Sequence, residues 1–351
     1  MSLSLQVFKQ LSNTVNQSVV GQDDVVKALL IGLLTRGHVL LEGLPGTAKT
    51  RSIKALADAM NADFGRVQFT PDLLPSDVTG AEIYREADGK HSLTFQPGPI
   101  FNNLVLADEI NRAPAKVQSA LLEAMAENSV TSAGETRQLP NLFMVLATQN
   151  PVEQEGTYPL PEAQMDRFML KVNVDYPDAQ SELAIIDLVR EEELMSISSD
   201  DDLPKESQSK DPLGSQPQGI SKNSLSIPNL IIRPEHIIAA QQEVSRIYIS
   251  PLIKSYVVNL VMATRGAGDY SHAQFPQWLS VGASPRASIA LDRGARAHAW
   301  LAGRDYVDPD DVRAMVHLVL GHRLVLSYAA ISERITTAKV IDEILEHVMI
   351  G

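Results

Sequence analysis

Residues 43–50 combine the residue types of a phosphate-binding loop in the order that such a loop requires. They follow the apolar run His38 to Leu41, which is typical of a strand, and precede a stretch with helical periodicity. In this context backbone N–H groups bind phosphate oxygens, Lys49 reaches the β and γ phosphates, and the Thr50 hydroxyl coordinates Mg²⁺. Ala48 stands where glycine is usual, and a negative φ would tolerate its methyl group. The predicted nucleotide-binding residues of the loop are Gly43, Leu44, Pro45, Gly46, Thr47, Ala48, Lys49 and Thr50.

Two carboxylates, Asp108 and Glu109, end the apolar run Leu104 to Ala107. A buried parallel strand exposes such groups at its carboxyl end, which is where open α/β sheets bind ligands. Asp108 therefore suits Mg²⁺, directly or through a water, and Glu109 suits polarising a water for attack on the γ-phosphate. A third apolar run, Leu142 to Ala147, leads to Asn150, whose amide could orient that water. An asparagine before proline is, taken alone, more typical of a turn.

The first half of the chain alternates short β-rich runs with stretches of helical periodicity, such as 22–35 and 116–126. This alternation predicts parallel βαβ units, and continuous apolar runs fit buried parallel strands. After Tyr176 the strand signal disappears, and the remaining segments favour helices: 178–194, 234–247, 252–265, 285–301, 309–320 and 336–347. We therefore predict an α/β nucleotide-binding domain over residues 1–177 and a smaller all-α domain over residues 178–351.

Three segments interrupt this plan. Residues 196–229 are rich in Ser, Asp, Gln, Pro and Gly with little apolar content, which predicts a flexible insertion. Residues 79–97 contain two short β-rich runs joined through Asp88-Gly89, a strong hairpin signal. A turn signal around Gly134, between β-rich runs, predicts a second hairpin.

The composition excludes several classes of protein. The 351 residues include no Cys, which rules out a disulfide-stapled module and a Cys-ligated metal site. A net charge of −13 argues against non-specific binding to nucleic acid, because that affinity comes chiefly from Lys and Arg. The first residues lack a basic patch with an apolar stretch, and the run Ala28 to Leu34 is too short for a membrane span. We expect a cytoplasmic protein with no membrane span.

An ordered set of segments along nearly the whole chain resembles the MoxR family of AAA+ ATPases. The segments are Val20-Gly21-Gln22, the 43–50 loop, Phe69 to Asp77, Ala107 to Ala113, Ala147 to Pro151, Pro161 to Phe168 and Gly282 to Ala287. An alanine before the lysine of this loop is typical of that family, so Ala48 fits the resemblance. Residues 196–229 have no counterpart in the resemblance.

The resemblance implies a P-loop αβα sandwich followed by a helical lid, with ATP and Mg²⁺ bound between them, and assembly into a homo-oligomeric ring, commonly a hexamer. It implies that Gln22 contacts the nucleotide and that Asn150 is sensor 1. It also implies that Arg286 is sensor 2 and that Arg167 is the finger that reaches the γ-phosphate of a neighbouring subunit. Residue types alone leave alternatives open: Arg167 as a surface residue paired with Asp166, and Arg286 as a solvent-exposed residue at the start of a helix. Arg112 follows the acidic pair closely enough to face a neighbouring subunit, or it forms a structural ion pair.

The implied function is ATP hydrolysis that drives chaperone-like remodelling or activation of protein complexes, together with partners that carry a von Willebrand factor A domain. Both hairpins are candidates for contacting a client protein. The alternatives are the motor subunit of a metal-cation chelatase, which shares the hairpin and the Asp166-Arg167-Phe168 pattern, and a nucleotide-switched scaffold with negligible hydrolysis. A nucleic-acid motor is disfavoured by the acidic balance of the chain.

Overall fold

The computed structural model describes residues 2–44, 46–47, 49–87, 90–132, 134–152, 156–200, 232–267, 270 and 274–350. The chain forms two compact units, residues 1–176 with 232–351 and residues 177–231, and each is described by itself. The described part of the smaller unit is one long helix that ends at Asp200. Most of the predicted flexible insertion at 196–229 lies outside the described residues, so this prediction stays untested, as does the predicted domain boundary at residue 177.

The elements alternate in the first half of the chain and are mainly helical in the second. The strands are β1 (Val39–Gly43), β2 (Phe64–Gln68), β3 (Gly80–Ala87), β4 (Lys90–Pro97), β5 (Leu104–Asp108), β6 (Ser129–Ser132), β7 (Glu135–Gln138), β8 (Met144–Gln149), β9 (Leu170–Val174), β10 (Leu279–Val281) and β11 (Val325–Leu326). The helices are α1 (Leu3–Ser18), α2 (Asp23–Thr35), α3 (Lys49–Ala59), α4 (Pro75–Thr79), α5 (Ala115–Glu127), α6 (Glu162–Met165), α7 (Ala179–Asp200), α8 (Pro234–Ser245), α9 (Pro251–Thr264), α10 (Pro285–Leu301), α11 (Pro309–Leu320), α12 (Tyr328–Ser332) and α13 (Thr337–His347).

The centre of the larger unit is a five-stranded parallel sheet in the order β2-β5-β8-β1-β9. Every residue of β5 is buried, as the continuous apolar run predicts for an internal parallel strand. Alternate residues face opposite sides, so Val105 and Val145 pack against α5 on one face. Helices α2 and α3 contact the strands as well. The predicted α/β class with a parallel sheet is confirmed.

Strand β9 is not evident from the sequence pattern. It lies at the edge of the sheet, beside β1, with Val39 opposite Leu170. Its sequence alternates apolar and polar residues, and the polar Lys171 and Asn173 are less buried than their neighbours. A half-exposed edge strand lacks the continuous apolar run that marks the internal strands.

Both predicted hairpins are confirmed. Strands β3 and β4 pair antiparallel from Gly80 opposite Pro97 to Ala87 opposite Lys90, while the turn residues Asp88 and Gly89 lie outside the described residues. Strands β6 and β7 form the second antiparallel pair. The first hairpin exposes apolar side chains, among them Tyr84 and Leu93.

Helices α8 to α13 make up the mainly helical second half of the larger unit, called the lid below, and a short antiparallel pair, β10 with β11, adds the only sheet among its described residues. Several of its helices begin with proline, as α9, α10 and α11 do, which fits the first turn of a helix. No helix in the described ranges is long and apolar enough to cross a membrane.

A buried carboxylate organises the start of α11. Asp311 is fully buried; it accepts hydrogen bonds from Arg304 at 2.5 and 2.7 Å and from the Asp308 N–H at 2.8 Å, and it contacts Nδ1 of His298 at 2.6 Å. Burial raises the pKa of Asp311, but these hydrogen bonds outweigh it and hold the pKa below its usual value. The carboxylate therefore stabilises the fold in its charged form.

We expect Asp311→Asn to lower the free energy of unfolding by about 3 kcal/mol, because it leaves the half-buried Arg304 without its counter-charge. The contribution of Asp311 is complete above its unfolded-state pKa of about 3.9 and is lost as pH falls through the lower folded value. Chemical denaturation at neutral and acid pH measures both effects. The matched control is Asp310→Asn, at an exposed neighbour. Equal stability of the two variants would contradict the role of Asp311.

Candidate functional site

The predicted phosphate-binding loop, residues 43–50, connects the buried strand β1 to helix α3. Gly46 has a φ of +81°, which glycine adopts without strain. Thr47 is buried, and its hydroxyl donates a hydrogen bond to the Leu44 carbonyl at 2.8 Å. Because α3 begins at Lys49, its first backbone N–H groups have no partner within the helix and are available to an anion. Pro45 and Ala48 lie outside the described residues, so the backbone angle at Ala48 stays untested.

The lysine of the loop folds back onto it. Nζ of Lys49 donates hydrogen bonds to the carbonyl oxygens of Gly43 and, at 3.2 Å, Leu44. Burial lowers the pKa of Lys49, and the carboxylates of Asp108 and Glu109 oppose this shift. Lys49 therefore lies within electrostatic reach of both acidic residues.

The Asp108 carboxylate ends β5 and is held from both neighbouring strands. Its Oδ2 accepts a hydrogen bond from Nη2 of Arg66 on β2 at 2.7 Å, and its Oδ1 accepts one from the Thr148 hydroxyl on β8 at 2.6 Å. Both oxygens are thus fixed at the carboxyl edge of the sheet, where the loop after β1 also lies.

Glu109 has a left-handed backbone, with φ of 58° and ψ of 49°, which re-aims the chain directly after the strand. Its N–H donates to the Thr148 hydroxyl at 2.9 Å. Its carboxylate accepts a hydrogen bond from Gln68 at 3.0 Å and pairs with Arg112 at 3.1 Å. One hydroxyl, that of Thr148, therefore positions both acidic residues.

The donor chemistry of this edge fits a nucleotide with Mg²⁺. Mg²⁺ prefers oxygen ligands and is usually bound by one or two carboxylates together with substrate phosphates. The Asp108 carboxylate and the Thr50 hydroxyl are such ligands. No group of three or more His, Asp or Glu side chains that could hold a metal occurs in the part of the chain that the structure describes. A cation held by these two groups would take further oxygen ligands from a bound phosphate or from water.

Asn150 follows β8, next to the acidic strand β5, as predicted. It is buried; its Oδ1 accepts the Val152 N–H at 3.2 Å, and its carbonyl accepts a hydrogen bond from Asn111 at 3.4 Å. The side chain thus shapes a turn and also lies at the edge where the phosphate site is predicted. Its role as a sensor stays a prediction.

Gln22 lies at the start of α2 and is buried. Its Nε2 donates a hydrogen bond to the carbonyl of Asp175, just beyond the end of β9, at 3.3 Å. Because β9 and β1 are neighbouring parallel strands, this contact is at the same edge of the sheet as the phosphate-binding loop. Its predicted contact with the nucleotide stays untested.

The two predicted arginines lie at the opposite edge of the sheet. Arg167 precedes β9, whose first residue, Leu170, lies beside the first residue of β1. Nη1 of Arg286 is 3.9 Å from the carboxylate of Asp166, so Arg286 is at this edge too. Five-residue strands span about 16 Å, which separates both arginines from the loop of their own chain.

These two arginines share one cavity. Its volume is about 310 Å³, and its charged lining residues are Arg36, Arg167, Arg286, Arg293, Arg323 and Asp166. Nη1 of Arg167 donates a hydrogen bond to the carbonyl of Leu122 at 2.8 Å, whereas the Asp166 carboxylate binds Arg323. The structure therefore does not support the alternative in which Arg167 pairs with Asp166. Arg286 is 52% exposed, at the second position of α10.

The sequence did not assign roles to Thr148, Gln68 or Arg66. Thr148 carries a signal, since it is a polar residue at the end of an otherwise apolar strand. Gln68 and Arg66 lie on β2, which precedes β5 by many residues, and only strand pairing brings them beside Asp108 and Glu109.

Comparisons with known proteins agree with this geometry. Residues 38–170 match the sequence model of the ATPase family associated with various cellular activities, AAA, and residues 277–344 match that of the AAA lid domain. Chaperone MoxR1 of Mycobacterium tuberculosis is 43% identical over 95% of this chain and 80% of its own length. Protein YeaC of Bacillus subtilis, an uncharacterized protein, is 43% identical over 96% of this chain and 92% of its own. A crystal structure from Cytophaga hutchinsonii superposes with a TM-score of 0.83 at 41% identity, over 99% of this chain and 96% of that chain.

The parallel sheet, the phosphate-binding loop and the lid define the class of AAA+ ATPases. Within that class, identity above 40% along almost the whole chain is decisive. The chain belongs to the MoxR family.

Replacing Thr148 by valine should disturb the acidic pair while keeping the side-chain shape. The variant leaves an oxygen of Asp108 and the N–H of Glu109 without their shared partner, which costs about 1–3 kcal/mol. We expect lower stability and slower ATP turnover, measured by denaturation and phosphate release. Thr148→Ser keeps the hydroxyl and should stay close to the parent in both. Indistinguishable turnover in the two variants would contradict the bridging role.

Proposed function

We propose that this protein hydrolyses ATP in a Mg²⁺-dependent reaction and uses the cycle to remodel or activate partner protein complexes. The observation that carries the proposal is the meeting of Lys49, Asp108 and Glu109 at one edge of the sheet, where the Thr148 hydroxyl binds the Asp108 carboxylate and the Glu109 N–H. Membership of the MoxR family supports the same reaction class.

The residues divide the chemistry between them. Lys49 leaves the loop carbonyls and neutralises the β and γ phosphates, which offer a stronger anionic partner. Thr50 and Asp108 would hold Mg²⁺, which would draw charge from the phosphate oxygens when bound. Glu109 accepts a proton from the attacking water, because its carboxylate is held next to the phosphate loop. Asn150 orients that water, and Gln22 contacts the nucleotide.

The two edges of the sheet support a ring. Arg167 and Arg286 are too far from the phosphate loop of their own chain to touch its nucleotide, so we propose that both act on the nucleotide of an adjoining copy. Contact between the arginine edge of one copy and the loop edge of the next is heterologous, and such contacts close into rings when the rotation permits. We propose a hexamer. An arginine supplied in this way is worth about 10³–10⁵ in rate in other nucleotide hydrolases.

Chaperone-like work is the proposed use of that cycle. The MoxR1 relative carries the name of a chaperone, and the hairpin β3–β4 exposes apolar side chains that suit contact with a client protein. A partner with a von Willebrand factor A domain belongs to the same proposal. The chelatase motor and the nucleotide-switched scaffold have less support, since the relatives at 43% identity include a named chaperone and the site has a full set of residues for hydrolysis.

Glu109→Gln separates ATP binding from turnover. The amide keeps the size of the side chain but cannot accept the proton of water, so we expect ATP affinity to persist and phosphate release to fall by about 10²-fold or more. Titration with labelled ATP and a phosphate-release assay give the two values. Arg112→Gln, which removes the ion-pair partner of Glu109, tests whether the fall comes from the carboxylate itself. Unchanged turnover in Glu109→Gln would remove this residue from the mechanism.

A mixing experiment tests whether an adjoining copy donates the arginine. Lys49→Ala subunits should not bind ATP but keep Arg167, whereas Arg167→Ala subunits bind ATP but lack the finger. Lys49→Ala alone should be inactive, and Arg167→Ala alone should turn over ATP at only a small fraction of the parent rate. In an equal mixture, about a quarter of the directional contacts would join an intact site to an intact arginine, so about a quarter of the parent rate should return. Mixtures that stay inactive, although mixed assembly is shown by cross-linking, would contradict donation between copies.

A further inference from the structure

Asp166 joins the segment that carries Arg167 to the part of the lid that carries Arg286. Its Oδ1 accepts a hydrogen bond from Nε of Arg323 at 2.8 Å, and its Oδ2 accepts one from the hydroxyl of Ser284 at 2.8 Å. Asp166 lies beside Arg167 in the chain, and Ser284 lies two residues before Arg286. One carboxylate therefore connects both arginines of the proposed intersubunit contact.

Arg323 extends this connection along the backbone. Its side chain is 3% exposed, and it donates hydrogen bonds to the carbonyls of Asp166 at 3.3 Å, Phe168 at 2.6 Å and Met169 at 3.2 Å, and to that of Val319 within the lid. Burial lowers the pKa of Arg323, and Asp166 opposes that shift. The guanidinium is thus surrounded by acceptors, of which Asp166 supplies the negative charge.

Ser284 fixes the first turn of α10. As the N-cap residue it accepts the N–H of Arg286 at 3.2 Å, while its own hydroxyl donates to Asp166. These two hydrogen bonds fix the start of α10 relative to Asp166. Arg286 is therefore held at a defined position relative to the 166–169 segment.

The charges around Asp166 make it sensitive to replacement. Five guanidinium groups line the cavity, and among the described residues that line it Asp166 is the one acidic side chain. Like charges that share one cavity repel each other, and the repulsion is strongest where water is partly excluded. Without the carboxylate, Arg286 and Arg323 would face each other with no charge between them.

We propose that Asp166 is a positioning residue: by binding Arg323 and Ser284 it holds Arg167 and Arg286 as one unit that reaches the nucleotide of the adjoining copy. The proposal rests on the proposed function, because it concerns how the donated arginines are placed. It assigns to the lid a direct part in turnover at the neighbouring site, since Arg323 and Ser284 both belong to the lid.

The test is Asp166→Asn in the full chain. Misplacing a catalytic group by about 1 Å can cost about 10²-fold in rate, so we expect kcat to fall by about 10- to 100-fold. The KM for ATP should stay within about twofold, because the phosphate loop of the variant is intact. Asp292→Asn is the matched control: it breaks an ion pair with Arg296 within α10, neither residue lines this cavity, and kcat should stay unchanged.

Two further measurements separate positioning from a general loss of structure. Mixing Asp166→Asn with Lys49→Ala subunits should restore turnover, because the second variant supplies correctly placed arginines to the intact site of the first. Adding Asp166→Asn to Arg167→Ala should lower kcat less than it does in the parent, since one of the two arginines through which the residue acts is already removed. Full additivity, or no recovery on mixing, would overturn the proposal.

If Asp166→Asn does not fold, Ser284→Ala decides the question. It removes one of the two hydrogen bonds without leaving a buried charge unpaired, and we expect the same fall in kcat with an unchanged KM and recovery on mixing. A parent-like kcat in Ser284→Ala would then overturn the proposal.

Failure of the proposed function gives a different pattern, in which the parent protein lacks ATP turnover or Arg167→Ala does not change it. A slow Arg167→Ala beside a fully active Asp166→Asn would reject the positioning role alone.

Discussion

All five strands of the central sheet run in the same direction, and this constraint separates the two kinds of charge that the protein uses. The carboxyl ends of β1, β5 and β8 bring the phosphate loop, the two carboxylates and Asn150 to one edge. The amino ends bring the arginine cavity to the other. A chain folded in this way has at one edge the residues of the proposed triphosphate site and at the other the cations that we propose complete the site of an adjoining copy.

The acidic edge depends on hydrogen bonds between strands rather than on any single strand. Thr148 on β8 positions Asp108 and the backbone of Glu109, while Arg66 and Gln68 on β2 bind the same two carboxylates from the other side. Such a network keeps charged groups in place near a strand that is otherwise apolar and buried. Its stability in a low-dielectric setting requires every member to have a partner.

The arginine edge shows how an acidic protein can still present concentrated positive charge. The net charge of −13 describes the whole chain, yet five guanidinium groups share a cavity with one carboxylate. Asp166 neutralises the most buried of them, Arg323, and Arg286 remains half-exposed. The same contacts fasten the 166–169 segment to the lid, so the position of the lid and the position of Arg167 are mechanically linked.

The sequence by itself determined the local features. The phosphate loop, the acidic strand end, both hairpins and most helices could be predicted, because each depends on residues close together in the chain: a glycine with a positive φ, an apolar run, a proline in a first turn. Edge strand β9 was not predicted, because its alternating pattern resembles that of an exposed segment. Only the tertiary structure decided that Thr148 and Gln68 position the carboxylates, and that Asp166 binds Arg323 and Ser284 rather than Arg167. Those contacts join residues 40 to 157 positions apart. Where several partners of the same charge compete, as the arginines do for Asp166, sequence spacing contains no information about which of them pack together.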